Sequence, residues 1–147
     1  MKLKKLLFVG FAFAVSSSWG QFWSTSEPVK LNGTINSDAE ESMPVFSKDS
    51  SMLYFVRTFD QENRGNENDQ DIWMSVKDTN EGYIDAQPFK VLNNKFNNAV
   101  LSINSVGNHL YLLNAYEGKK DMEKGIAMSE FKDDKWSTPV KLDIPGL

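Results

Sequence analysis

The sequence predicts an all-β protein, on three observations. Beyond Met43 the apolar residues come in short alternating runs separated by polar turn clusters. Those runs are rich in aromatic and β-branched residues, as in Met52-Leu53-Tyr54-Phe55-Val56 and Leu110-Tyr111-Leu112-Leu113. No segment after residue 21 carries a capped apolar stripe at helical period. With 147 residues, 40% of them apolar, the chain is long enough to pack one domain.

Residues 1–20 read as a secretory signal peptide. Lys2, Lys4 and Lys5 form a basic start, and Leu6 to Val15 is a short apolar run. Ser18 and Gly20 stand at small-x-small spacing before Gln21. The alternative is a membrane anchor, but ten apolar residues are too few to cross about 30 Å of hydrocarbon. With no Cys at the cleavage site, a lipoprotein anchor is excluded. Removal of the three lysines would move the net charge from −4 to −7.

Residues 21–40 are expected to hold an N-terminal strand and a linker. Two units follow, at 41–95 and 96–147. The first is expected to have strands at 42–47, 52–58, 70–76 and 87–92; the second at 98–103, 109–114, 124–131 and 136–142. The turn clusters Lys48-Asp49-Ser50-Ser51 and Ser105-Val106-Gly107-Asn108 precede the second strand of each.

The two units repeat one another. Leu53-Tyr54 returns as Leu110-Tyr111, and Ile72-Trp73-Met74-Ser75 as Ile126-Ala127-Met128-Ser129. Pro88-Phe89-Lys90-Val91-Leu92 returns as Pro139-Val140-Lys141-Leu142. Trp23-Ser24-Thr25-Ser26-Glu27-Pro28-Val29-Lys30-Leu31 echoes the last of these, so the mature chain opens with what reads as a final strand. Four antiparallel strands per unit, repeated at about 50 residues, is the pattern of β-propeller blades. The predicted fold is therefore two four-stranded blades plus an N-terminal strand, a partial propeller. Complete propellers have about four to eight blades, so the chain reads as a fragment, or as one part of an assembly that self-associates to cover its open faces.

Pro44-Val45-Phe46-Ser47-Lys48-Asp49-Ser50-Ser51-Met52-Leu53-Tyr54-Phe55, followed by Asp71-Ile72-Trp73, resembles a TolB-like, WD-repeat-like propeller repeat. Lys48 stands in place of that motif's Pro and Ser50 in place of its Gly. In the second copy Val106 stands where Asp is expected. The order of parts, the acidic loop before Asp71 and the stretch Leu92-Asn93-Asn94-Lys95-Phe96-Asn97-Asn98 are similar to the N-terminal propeller of OmpA-family envelope proteins. The resemblance implies protein partners in the periplasm or at the outer membrane. In that family a C-terminal domain holds peptidoglycan; this sequence lacks it, so that link is not carried over.

Composition narrows the function. A net-acidic chain argues against nucleic acid as a partner. Without Cys there is no disulfide, thiol nucleophile or Cys-ligated zinc. His109 is the one histidine; it starts a strand, and no G-x-S-x-G elbow accompanies it. The loop from Asp60 to Asp71 has the oxygen-rich composition of a calcium loop, but Arg64 occupies a ligand position and the last residue is Asp rather than a bidentate Glu. It reads as a solvated hairpin. Trp73, Trp136, Tyr54, Tyr111 and Phe46 occupy repeat or strand positions and read as inter-blade core. Lys132-Asp133-Asp134-Lys135 reads as a polar hairpin turn. The expectation is an exported, non-enzymatic binding or scaffold module of the cell envelope, with no catalytic, metal or cofactor residues. The alternative is a propeller piece of a secreted peptidase or of a carbohydrate-active or carbohydrate-binding protein.

The export reading predicts that N-terminal sequencing of the exported protein begins near Gln21. Retention of Lys2 to Lys5 in exported material would show that the basic apolar start is not a cleaved leader.

Overall fold

The structure is a computed structural model that describes residues 27, 30–79, 82–118 and 120–146. The leader at 1–20, and the strand expected at 23–31 apart from Glu27, Lys30 and Leu31, lie outside the described residues.

All regular elements among the described residues are strands, in two antiparallel sheets. Sheet 1 holds β1 (Glu40–Phe46), β2 (Met52–Thr58), β3 (Asp71–Asp78), β4 (Gly82–Tyr83) and β5 (Gln87–Pro88). Sheet 2 holds β6 (Val100–Ile103), β7 (His109–Leu113), β8 (Ile126–Lys132), β9 (Lys135–Trp136) and β10 (Val140–Lys141). In each, the first three strands form a meander in which successive strands pair. Both first strands carry one extra residue, between Ser42 and Val45 and between Val100 and Ser102. An extra residue on one strand of a pair bends and twists it.

The fourth strand of each unit differs from expectation. It is broken in two, β4 with β5 and β9 with β10, and each pair of pieces bonds the same third strand. The break has the same chemistry in both sheets. The Ser75 hydroxyl donates to the Ile84 carbonyl, and the Ser129 hydroxyl donates to the Ser137 carbonyl at 2.6 Å. Both serines are buried, so a carbonyl that leaves the ladder still finds a donor. The strand expected to run to residue 92 stops at Pro88. The amides of Leu92 and Asn93 turn back onto the Phe89 carbonyl, at 3.0 and 3.2 Å, and Leu92 is almost fully buried.

Alternation along β2 sorts the core. Tyr54 joins Ile72, Phe89, Leu92, Val100, Leu110, Leu112 and Ala127 in a cluster between the sheets. Leu53 and Phe55 point the other way and join Ile35, Trp73 and Tyr83. Sheet 1 is thus covered on both faces, which explains why Leu53 through Thr58 are buried without interruption. Ile35 falls in the segment expected to be linker, yet it is buried against sheet 1. Among the described residues, sheet 2 is covered on one face only. Leu110, Leu112, Ala127 and Ser129 are buried, while Tyr111, Leu113, Ile126 and Met128 are half-exposed.

The packing is head to tail. Leu110 and Leu112 are the repeat counterparts of Leu53 and Phe55, yet they pack onto the face of sheet 1 that presents Tyr54. The same row crosses both sheets: Val45–Tyr54–Met74 in sheet 1, Ser102–Tyr111–Met128–Val140 in sheet 2. The first row is packed between the sheets; the second faces outward.

Leu92 comes from neither sheet but fills the space between them. Truncation of such a side chain removes apolar contact and leaves a cavity, at a cost of about 2–5 kcal/mol. Leu92→Ala is expected to lower the unfolding free energy, read from urea titrations, by an amount in that range. A loss below about 1 kcal/mol, the level of a conservative core change, would show that Leu92 does not join the sheets.

Candidate functional site

Two clefts flank the inter-sheet core, one at the β1–β2 and β6–β7 turns and one at the long loops. The turn-end groove has a volume of about 500 Å³ and lies between Asp49, Ser51, Met52 and Tyr54 of sheet 1 and Ile103 and Val106 of sheet 2.

Two different side chains build its two turns. In the first, Asp49 Oδ1 accepts from the Ser47 hydroxyl at 2.7 Å, the Ser51 hydroxyl at 2.8 Å and the Ser51 amide at 3.1 Å. These bonds, the Ser47 hydroxyl foremost, hold the Asp49 carboxyl down to about 2. Ser50, in the place of the resembled motif's Gly, has φ +57°. Its counterpart Gly107 has φ +87°. In the second turn Val106 replaces Asp, and Asn104 takes over: its Oδ1 accepts from the amides of Gly107, Asn108 and His109 at 2.9, 2.9 and 3.1 Å. Behind Asp49, Tyr54 stacks on Phe89 and is 2% exposed. Burial, then the Asp49 charge, pushes its hydroxyl up to about 12. No hydrogen-bond partner holds that hydroxyl among the described residues.

His109 belongs to the second turn. Its Nδ1 lies 2.9 Å from Asn104 Nδ2 and 2.8 Å from Asn108 Oδ1, and its Nε2 4.0 Å from Glu130. The ring is thus bracketed by turn and strand residues.

The loop-end cleft, about 300 Å³, has Arg64 and Lys90 at its rim and Asp71 and Asn93 in its walls. The acidic loop folds onto itself. Asp60 Oδ1 accepts from the Glu62 amide, Asp69 accepts from Asn66, and Asp71 Oδ2 accepts from the Arg64 amide at 2.6 Å. The Arg64 guanidinium donates to the Asn93 carbonyl at 2.9 Å. Among the described residues no three His, Asp or Glu side chains converge as metal ligands. The Asn-rich stretch stitches the loops together. The Asn93 side chain pairs with the amide and carbonyl of Ile72 as a strand would, both at 2.9 Å; Asn97 Oδ1 accepts the Gln70 amide; Asn98 binds Asn94.

Two buried polar atoms there lack partners among the described residues: Asp71 Oδ1 and the Tyr116 hydroxyl. Burial raises the Asp71 carboxyl to about 6, against a pull downward from the Arg64 amide. Burial, with the Asp71 charge as a lesser cause, also raises the Tyr116 hydroxyl.

Arg57, not singled out by the sequence reading, is held by rings, carboxylates and a carbonyl at once. Its guanidinium lies 4.1 Å from the Trp73 ring centre and 5.4 Å from that of Phe55. It meets Glu41 at 3.1 Å and Asp60 at 3.4 Å, and donates to the Ile35 carbonyl at 3.0 Å. The alternation of β2 could have placed it on the Phe55 face. Its partners Ile35 and Asp60 come from irregular segments with no periodic signal.

The two shifted carboxyls act in opposite directions. Asp71 titrates higher folded than unfolded, so its ionisation opposes folding, and stability rises as pH falls from about 6 to 3.8. Asp49 titrates lower folded, so it stabilises above 3.8 and that contribution is lost as pH falls toward about 2. The Tm–pH profile is expected to peak near pH 4. Asp71→Asn is expected to flatten the arm above the peak and Asp49→Asn the arm below it. An upper arm unchanged in Asp71→Asn would contradict the burial of an ionised carboxylate.

No family model, curated protein or solved structure matches this chain.

Proposed function

We propose that the chain is a non-catalytic, exported binding or scaffold module of the bacterial cell envelope, built of propeller-type blades and acting through protein contacts. The observation that carries this reading is the outer face of sheet 2. Its row Ser102–Tyr111–Met128–Val140 is the counterpart of the row Val45–Tyr54–Met74, which in sheet 1 serves as a protein–protein packing surface inside the molecule. A face of this composition is suited to burial against another sheet.

Three further features support the reading. Two equivalent sheets stacked head to tail is an arrangement that can be extended by more sheets of the same kind, as in a propeller. The TolB-like resemblance of Pro44 to Phe55 and Asp71-Ile72-Trp73 points to envelope proteins as partners. The basic, apolar start of the chain fits export.

Light scattering on the purified exported protein is the direct test. The outer face of sheet 2 is expected to drive association, and Met128→Lys is expected to shift the mass toward monomer without changing the circular dichroism. A wild-type monomer that leaves this face uncovered and captures no envelope protein would overturn the reading.

A further inference from the structure

We propose that the turn-end groove between Asp49 and Val106 is a binding site for a basic side chain, a lysine or arginine carried by an extended segment of a partner protein. The inference rests on the reading of the chain as a protein-binding module, but it uses a surface separate from the outer face of sheet 2.

The floor of the groove supplies the first argument. Tyr54 is 2% exposed, lines the groove, and its hydroxyl has no hydrogen-bond partner among the described residues. The oxygen itself is not among the fully buried unpartnered atoms, so it keeps some exposure and a molecule in the groove can reach it. The wall supplies the second. All three hydrogen bonds that Ser47 and Ser51 give to Asp49 end on Oδ1. No donor from another described residue reaches Oδ2, so a charged oxygen with free lone pairs borders the groove. The Ser47 and Ser51 hydroxyl protons are already committed to Asp49, and Ser47 Oγ also accepts the Met52 amide at 2.9 Å, so Ser51 Oγ is the hydroxyl with acceptor capacity left for the groove.

The groove therefore presents a carboxylate oxygen, the Ser51 oxygen and a phenol. Lys48 is the one cation among its lining residues, and it is exposed. The remaining lining is aliphatic, with Met52, Ile103 and the 78% exposed Val106. A side chain with an aliphatic stem and a cationic, donor-rich head matches both halves: the stem lies along the aliphatic wall and the head meets Asp49 Oδ2 and the Tyr54 hydroxyl. A sugar would want an open aromatic face, but the Tyr54 ring is stacked on Phe89 at 5.9 Å. An acidic segment would face the Asp49 carboxylate.

The test is an amide chemical-shift titration of the full exported protein with the blocked peptide acetyl-Ala-Lys-Val-Ala-amide. Its controls carry norleucine or Glu in place of Lys. Saturable shifts are expected at Asp49, Ser51 and Gly107 with the Lys peptide, weakening as salt screens the exposed charges. Asp49→Asn keeps an acceptor for the turn but removes the charge, and is expected to weaken binding about tenfold, the scale of one charge-assisted bond. Tyr54→Phe removes only the hydroxyl and is expected to weaken binding by a smaller factor. Equal binding of the norleucine peptide, shifts confined to other residues, or no shift at millimolar peptide would overturn the proposal. Met128→Lys is expected to keep peptide binding while changing the light-scattering mass. Loss of peptide binding in that variant would move the site to the outer face and refute the groove.

Discussion

Leu53, Tyr54, Phe55 and Val56 follow one another on β2, so alternation sends large apolar side chains to both faces of one sheet. Both faces then have to be covered, and the rest of the molecule is arranged to do so. Sheet 2 covers the Tyr54 face with Leu110, Leu112 and Ala127. The Leu53 and Phe55 face is closed by Ile35, Trp73 and Tyr83, with the Arg57 guanidinium laid over the Trp73 ring. Arg57 is 5% exposed, and two carboxylates, a carbonyl and two rings surround it. A buried charge is tolerated when it is fully partnered in this way. By the same contacts it ties β2 to the chain before β1 and to the loop before β3.

Asp71 shows the opposite condition at the other end of the seam. One of its oxygens is held by the Arg64 amide and the other is buried without a partner among the described residues. An unsatisfied buried oxygen disfavours the charged form, which is why this carboxyl titrates high while the exposed, thrice-bonded Asp49 titrates low. The two ends of the inter-sheet seam are therefore electrostatically unlike. One borders a carboxylate that stays charged; the other encloses one that approaches neutrality.

The repeat preserves shape with changing chemistry. Ser75 and Ser129 perform the same service for the broken fourth strand, with the same atom types. The two tight turns reach one backbone path by different means, Asp49 with Ser50 in one and Asn104 with Gly107 in the other. Phe59, directly after β2, and Tyr116, three residues after β7, lie 57 residues apart and both have positive φ. What is repeated is the requirement at each position, a donor for a stray carbonyl or a residue that accepts a left-handed turn.

Period and turn chemistry are local, and they were legible from sequence alone: the all-β class, the long strands close to their ends, and the two-unit repeat. The hairpin at Asp133 and Asp134, both at positive φ, was legible for the same reason. The turn-end groove could be read only in its components, since Asp49 was visible as a turn residue and Tyr54 as core. That the two flank one cleft depends on how sheet 2 sits against sheet 1. The broken fourth strands, the burial of Ile35, the Arg57 cluster and the isolation of Asp71 were decided by tertiary structure. Each depends on groups distant in the chain meeting in a dry interior, where a hydrogen bond made or missed counts for far more than in water. An alternating pattern carries which face a residue takes, but not what that face will meet.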